Sequence, residues 1–243
     1  MLDTEYILEF AKVREVNSPA KAWDAAGWDF YVPTDLNITD FTKNWKIYVN
    51  ENLVKKSDIT SPAFLVKNKN DNKELWIKFY FDTKTNMISY INCNSGLPIY
   101  PKYNEWIENK DTVVKSIDLD FGEKILIPSG IHVKLPKNVF LNAANKSGIA
   151  SKRGLVVGAQ TIDIDYQGEI HIQLMNVCNN IAIINAGDKI VQFIAYFQPY
   201  MKEVKEYNSI DELYKNIESE RGSGGFGSSD KNDIKEETKT TEK

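Results

Sequence analysis

Residues 161–174, TIDIDYQGEIHIQL, are the stretch that decides the fold class. Apolar residues alternate with polar ones on both sides of the pair Gln167-Gly168, which is typical of two half-buried strands joined by a turn. The same spacing places Asp163 and Asp165 together on the face opposite the isoleucines. We therefore predict two strands separated by a turn, with two carboxylates on the outer face of the first strand.

The neighbouring sequence repeats this pattern. Residues 124–135, KILIPSGIHVKL, contain a short apolar run, a Pro-Ser-Gly turn and a second alternating run. Residues 181–197, IAIINAGDKIVQFIAYF, do the same around an Asn-Ala-Gly-Asp turn. Many short strands with closely spaced turns are typical of an all-β sandwich or jelly roll.

Residues 36–113 differ from the rest, because they hold three of the five tryptophans. The runs LWIKFYF (75–81) and MISYINC (87–93) flank the turn-forming DTKTN (82–86) as in a hairpin. We predict an inserted module that is mainly β.

The C-terminal segment begins with a predicted short helix over residues 209–220, in which Ser209 is the N-cap and Glu212 follows three residues later. The glycine-rich string RGSGGFGSS (221–229) comes next. Its glycines let the backbone approach an anion, Arg221 suits phosphate, and Phe226 offers a stacking face for a base. A flexible Gly/Ser linker is an equally open interpretation. The charged residues 231–243 are predicted to be disordered.

Two further strings allow a chemical and an ordinary interpretation. In NKSGIASKRG (145–154), Lys146, Ser147 and the N–H groups around Gly148 are suited to a phosphate, but the string also fits a polar turn. Asp163 and Asp165 are suited to general-base chemistry, but they also fit two solvated side chains on an outer face.

Composition sets limits on the function. The net charge of −4 and the scattered basic residues argue against a nucleic-acid partner. No run approaches the length of a membrane span, and the acidic N-terminus lacks a signal-peptide pattern, so we expect a cytoplasmic protein and no membrane partner. Cys93 and Cys178 argue against a disulfide framework or a thiolate metal site. His132 and His171 are too few for a histidine-rich metal centre.

Five strings, in this order, resemble the five motifs of the trimeric dUTPase (deoxyuridine 5'-triphosphate nucleotidohydrolase) family. Singly they are weak signals, but their order along the chain is highly specific. They are motif one (Ala26–Phe30), motif two (Lys146–Ala150), motif three (Thr161–Glu169), motif four (Gly187–Gln192) and motif five (Arg221–Ser228).

The resemblance implies a jelly-roll (β-clip) subunit in a homotrimer, with three active sites between subunits. Each site would take motifs one, two and four from one chain, motif three from a second and the motif-five arm from a third. The chain would divide into a core (1–35 and 114–208), an inserted module (36–113), a helix and flexible arm (209–230) and a disordered tail (231–243). Similar inserts occur in phage dUTPases, which suggests a phage source and the cytoplasm of a bacterial host.

The resemblance also implies the activity of a dUTP diphosphatase. In this reaction water attacks the α-phosphorus of dUTP and gives dUMP and pyrophosphate. The activity would keep uracil out of DNA and supply dUMP. Asp163 would be the general base, and Asp29 would contact a phosphate-bound Mg²⁺ through water. The implied substrate-binding residues are Lys146, Ser147, Gly148, Gly158, Thr161, Ile162, Tyr166, Gln192, Arg221, Phe226, Gly227 and Ser228.

Within this set, Tyr166 would pack on the deoxyribose and exclude UTP, and the backbone from Gly158 to Ile162 would pair with uracil. Lys146, Ser147 and Gln192 would contact phosphates and Arg221 the γ-phosphate. Phe226 would stack on uracil, while Gly227 and Ser228 would donate to phosphate oxygens.

Three residues depart from the family pattern: Lys146 replaces the usual Arg, and Gln160 and Asp230 replace Gly. Two alternatives stay open from the sequence. One is a dCTP deaminase, which shares the fold. The other is a regulatory interaction protein on the same scaffold, with the 36–113 insert as the surface that binds a protein partner.

Overall fold

A computed structural model of the chain describes residues 7–22, 24–49, 61–82, 87–199 and 203–219. The chain forms two compact units, which meet in sequence between Pro199 and Tyr200. The first unit contains every described strand. The second contributes one described helix.

Most regular elements are strands, which confirms the prediction of a mainly β protein. The strands are β1 (Glu9–Lys12), β2 (Trp28–Tyr31), β3 (Ala63–Asn68), β4 (Glu74–Asp82), β5 (Met87–Asn92), β6 (Thr112–Leu119), β7 (Lys124–Pro128), β8 (Ile131–Lys134), β9 (Val139–Ala144), β10 (Leu155–Val157), β11 (Thr161–Ile162), β12 (His171–Asn176), β13 (Ala182–Asn185) and β14 (Lys189–Phe197). The α-helices are α1 (Ile38–Val49), α2 (Asn104–Ile107, preceded by a 3-10 turn at Pro101–Tyr103), α3 (Ser147–Arg153) and α4 (Ile210–Leu213).

The described strands pair antiparallel in four sheets. Their orders are β1-β8, β10-β12-β7, β11-β9-β14-β2 and β13-β6-β3-β4-β5. Burial alternates along the strands, as in β9 and β12, where every second side chain is buried. This period of two turns one face of each strand toward the core.

The strands β2 and β14 show how this alternation places polar side chains. Phe30 and Phe193 are buried, and their ring centroids lie 4.6 Å apart in the core. Their sequence neighbours Asp29 and Gln192 are cross-strand partners that point to the other face. Core packing therefore fixes two predicted site residues side by side.

The segment 36–113 contains the predicted hairpin, because β4 and β5 pair antiparallel. The prediction of a mainly β module left out helix α1. Its start is marked by reciprocal bonds: the Asn37 side chain accepts from the Thr39 N–H, and Asp40 accepts from the Asn37 N–H, both at 2.9 Å.

Strands from this segment extend a sheet of the predicted core. β3 pairs with β6, and β6 pairs with β13. Phe64 and Phe79 of the segment belong to the same buried cluster as Ile184 of the core. The described part of 36–113 thus packs within the first unit, against the predicted core, and its boundary as an insert stays a prediction.

The prediction of a continuous strand through residues 161–166 is wrong beyond Ile162. A turn begins at Asp163, whose carbonyl accepts from the Tyr166 N–H at 3.1 Å. Ile164 and Tyr166 are exposed together with the two aspartates, so the carboxylates do not share a face opposite the isoleucines. The second half is as predicted, with Ile170, Ile172 and Leu174 buried.

In the second unit, Ser209 caps helix α4 as predicted, and its hydroxyl accepts from the Glu212 N–H at 3.1 Å. The helix is one turn long, shorter than the predicted 209–220. The arm residues 221–229 and the tail 231–243 lie outside the described residues. No helix in the described part of the chain is both long and apolar enough to cross a membrane.

Candidate active site

Residues of motifs two and four line one open cavity of about 440 Å³. Lys146, Ser147, Gly148 and Gln192, all predicted to bind phosphate or substrate, form most of its wall; Asn145 and Ile149 complete it. The residues come together because β9 and β14 are neighbours in one sheet, and α3 starts just beyond the end of β9.

Motif one meets the cavity through Asp29. One carboxylate oxygen of Asp29 pairs with the Lys146 ammonium, and the other lies 3.5 Å from the Lys189 ammonium. A hydrogen bond with the Tyr31 side chain raises the pKa of Lys189, and the Asp29 carboxylate adds to this effect. Asp29 therefore holds two cations beside the cavity.

The packing around Gly27 explains why motif one contains a glycine at this position. A Cβ atom at this position would lie 2.2 Å from the backbone oxygen of Phe193. The Gln192 side chain donates to the Gly27 carbonyl at 3.2 Å. Only a residue without a side chain allows β2 to approach β14 this closely.

Helix α3 presents backbone donors to the cavity. The first intrahelical bonds are donated by Ile149 and Ala150 to the Lys146 carbonyl. The Ser147 and Gly148 N–H groups have no acceptor among the described residues, as is usual at a helix start. Such donors suit an anion, and Lys146 and the Ser147 hydroxyl lie beside them.

Two residues that the sequence did not single out hold this region in place. The Asn145 side chain accepts from the Val157 N–H at 2.7 Å, which ties the start of α3 to the segment that precedes motif three. Arg153, in the last turn of α3, pairs with Asp188 of motif four. Sequence offered no signal for either role, since both contacts join residues at least twelve positions apart.

Motif three forms an exposed turn. Asp163 is exposed, and its carboxylate has no hydrogen-bond partner among the described residues. The Tyr166 hydroxyl donates to the Glu169 carbonyl at 2.9 Å, and its ring lies against Gly168. The arrangement leaves the Asp163 and Asp165 carboxylates and one face of the Tyr166 ring accessible.

The predicted uracil-binding backbone lies beside this turn. β11 is at the edge of its sheet, paired with β9 alone among the described strands, so its other side is open. Gln160, where the family pattern has Gly, still accepts from the Ala143 N–H at 2.8 Å. The Gly158 N–H donates to Gln173 at 3.0 Å and is therefore occupied.

The structure brings together only part of the predicted site. Gly158 and the motif-three residues Thr161, Ile162, Asp163 and Tyr166 are absent from the lining of the described cavity. The motif-five residues Arg221, Phe226, Gly227 and Ser228 lie outside the described residues. Among the described residues, no cluster of three or more His, Cys, Asp and Glu side chains is arranged to hold a metal ion.

Arg14 is a further residue of this region that no sequence pattern marked. Its guanidinium contacts Glu169, the last residue of motif three, and Asp40 of helix α1. Burial alone would raise the pKa of Glu169, but hydrogen bonds from Arg14 and the Gly130 N–H outweigh this and lower it.

The dUTPase family model matches residues 109–230, which is half of the chain and includes motifs two to five. The deoxyuridine 5'-triphosphate nucleotidohydrolase of Wolbachia pipientis subsp. Culex pipiens (strain wPip) is 37% identical over 116 residues, 47% of this chain and 72% of that protein. The human mitochondrial protein of the same name is 36% identical over 110 residues, which are 45% of this chain but 41% of the human protein.

Solved structures give a further comparison. One is a mutant dUTPase of Staphylococcus bacteriophage 80alpha with dUpNHpp. The match spans 92% of this chain and 98% of the phage chain, at 16% identity and a TM-score of 0.47. A mutant dUTPase from phage phi11 of S. aureus, described with a structural Mg(II) ion, covers 84% and 99% at 14% identity and a TM-score of 0.45.

On the sequence matches, the chain belongs to the dUTPase family. The prediction of family membership, made from five ordered motifs, is confirmed, and with it the mainly β jelly-roll fold.

Proposed function

We propose that this protein hydrolyses dUTP to dUMP and pyrophosphate. The observation that carries the proposal is the cavity at which Asp29, Lys146, Ser147 and Gln192 of motifs one, two and four meet, in a member of the dUTPase family. The curated relatives are named for this activity on deoxyuridine triphosphate, which favours it over the dCTP deaminase alternative.

The triphosphate would bind at the start of α3. The Ser147 and Gly148 N–H groups, the Lys146 ammonium and the Gln192 amide supply donors, and most of the catalytic effect comes from positioning and neutralising the phosphates. Lys146 must leave Asp29 to reach a phosphate. Lys189 then still balances the Asp29 charge.

Mg²⁺ would enter with the substrate. This ion keeps several waters and needs one or two carboxylates besides substrate phosphates, so a single carboxylate beside a phosphate cradle fits it. Asp29 would hold it through water. When bound, the ion neutralises negative charge on the phosphates.

The reaction itself would depend on motif three. Asp163 would accept a proton from the attacking water, which its free and exposed carboxylate supports. The exposed Tyr166 ring would pack on the deoxyribose and leave no room for a 2'-hydroxyl. The open edge of β11, at Thr161 and Ile162, would pair with uracil.

We further propose that the active sites form between three chains. The cavity contains no motif-three residue of its own chain, which supports a site completed by motif three of a second subunit. The third subunit would supply Arg221, Phe226, Gly227 and Ser228, with closure of the arm excluding water. The regulatory alternative is not favoured, since the matched relatives are named as nucleotidohydrolases. The cytoplasm stays the predicted location.

The test is a comparison of dUTP, UTP, dCTP and dTTP with Mg²⁺, measured as pyrophosphate release. We expect turnover of dUTP and, for each of the other three, a rate lower by a factor on the order of 100 or more, the scale set by a missing hydrogen-bond partner or a steric clash. Equal turnover of all four nucleotides, or of none, contradicts the proposal. Ammonia release from dCTP identifies a deaminase.

A further inference from the structure

Glu169 closes motif three but has no role in the proposed reaction. Its carboxylate accepts from Arg14 Nε at 2.8 Å and from the Gly130 N–H at 2.7 Å. Its backbone carbonyl accepts from the Tyr166 hydroxyl. Glu169 is therefore the point at which the turn that begins at Asp163 is fastened to the body of the subunit.

Arg14 is held on its other side by helix α1. Its two terminal nitrogens donate to the two carboxylate oxygens of Asp40 at 3.2 and 3.1 Å, the fork-to-fork geometry that gives Arg its directional strength. The side chains of Arg14, Asp40 and Glu169 are 20%, 15% and 16% exposed. Bonds of this kind are screened less than surface pairs.

The surrounding backbone leaves room for this arrangement. Gly130 has a φ of 72°, and a Cβ atom there would lie 2.8 Å from the Cβ of Arg14. Asp40 also accepts from the Asn37 N–H, so the start of helix α1 fixes its direction. Both carboxylates that bind Arg14, those of Asp40 and Glu169, thus accept a backbone N–H that fixes their position.

We propose that Arg14 is a positioning residue that braces the segment Asp163–Glu169, and that Asp40 makes helix α1 the far anchor of this brace. The inference rests on the proposed function, because it assigns that segment to the dUTP site. It gives the 36–113 segment a part in hydrolysis without any protein partner.

The experiment replaces Asp40→Asn in the full-length chain. The asparagine oxygen can still accept from Asn37, so the helix start is kept while the charged fork is lost. The matched control is Glu74→Gln, the same chemical change in a 3.2 Å pair with Lys67 on the same segment. Glu74 lies in β4, where its cross-strand partner is Lys67 of β3.

Two readouts separate the inference from the proposed function. For Asp40→Asn we expect amide exchange in residues 163–169 to rise by about three- to tenfold, the range for losing about one ordinary hydrogen bond, because the asparagine oxygen can still accept from Arg14. We expect kcat for dUTP to fall by a similar factor, about three- to tenfold, with a smaller change in KM, because the phosphate cradle is untouched. Glu74→Gln should change neither the amide exchange nor kcat. Asp40→Glu, which keeps the carboxylate, should leave both close to their wild-type values.

The link through Arg14 is tested by a double variant. If Asp40 acts only through Arg14, Asp40→Asn should add nothing to Arg14→Ala. Unchanged exchange in Asp40→Asn, or a full Asp40→Asn effect on top of Arg14→Ala, overturns the inference.

Should Asp40→Asn fail to fold, Arg14→Lys, which keeps the charge but loses the fork, gives the same test. If the wild-type protein does not hydrolyse dUTP, the proposed function is contradicted. The amide-exchange result still tests whether Arg14 positions the segment Asp163–Glu169.

Discussion

At the scale of single residues, Asp163 and Asp165 are two exposed carboxylates of one turn that differ only in position. We predict that Asp163→Asn lowers hydrolysis of dUTP about 10²- to 10⁴-fold, the usual contribution of a general base. Binding of a non-hydrolysable dUTP analogue should persist, since the phosphate donors remain. Initial rates of pyrophosphate release and calorimetric titration measure the two effects.

The matched control for that change is Asp165→Asn, which removes the same charge two residues away. It should keep a rate close to that of the unmodified chain. Equal losses in the two variants would show that charge near the site, rather than proton transfer at Asp163, accounts for the effect.

The lowered pKa of Glu169 makes a prediction about acid stability. A carboxyl whose pKa is lower in the folded than in the unfolded chain stabilises the fold above the unfolded value of about 4.3, and this contribution is lost as pH falls through the folded pKa. We expect Glu169→Gln to lower the free energy of unfolding by about 1–3 kcal/mol at pH 7. The difference from wild type should shrink below about pH 4.

Urea unfolding at pH 7 and pH 3 measures that difference. Glu74→Gln serves for comparison, because the Glu74 side chain is 47% exposed and its pair with Lys67 should contribute little at either pH. A Glu169→Gln deficit that stays constant from pH 7 to pH 3 would contradict the assignment of a lowered pKa.

At the scale of elements, the close contact of β2 with β14 sets the spacing of Asp29 and Gln192. Gly27→Ala would place a Cβ against the Phe193 backbone, which cannot rotate away, so we expect a loss of about 2–4 kcal/mol in stability. Gly148→Ala meets open space in a helix and should be neutral or slightly stabilising. Thermal unfolding compares the two, and equal melting temperatures would refute the packing argument.

The elements also show where sequence patterns succeed and fail. Alternation predicted Ile170, Ile172 and Leu174 correctly, because a strand buried on one face leaves a period of two. The alternation in residues 161–166 has the same form, but no neighbouring strand pairs beyond Ile162, and local turn bonds replace it. Helix α1 carried a usable signal in the capping pair Asn37 and Asp40, which the β pattern of the segment obscured.

At the scale of the whole molecule, the five motifs identified the family, because each is a short local string and their order can be read directly from the sequence. The long-range contacts were beyond the sequence. Arg14 and Glu169 are separated by 155 positions, and no pattern in a single chain pairs two charges at that distance. The site was therefore predictable in its residue types and not in the contacts that support it.

The proposed sharing of each site among three chains predicts complementation between two inactive variants. Asp163→Asn lacks the base, and a chain ending at Ser219 lacks the arm. Alone, each should be severely impaired. In trimers refolded from a mixture, some sites combine Asp163 from the shortened chain with an arm from the other, so activity should reappear.

Removal of residues 231–243 alone is the control for truncation and should leave the rate unchanged. Sedimentation of the mixture establishes the number of chains. Mixed trimers without regained activity would contradict sites that draw motif three and motif five from different subunits.

The proposed reaction begins with the attack of water on the α-phosphorus of dUTP. Hydrolysis in ¹⁸O-labelled water, followed by mass spectrometry of both products, tests it most directly. We expect the label in dUMP and unlabelled pyrophosphate. Label in the pyrophosphate, or the absence of dUMP, would contradict it.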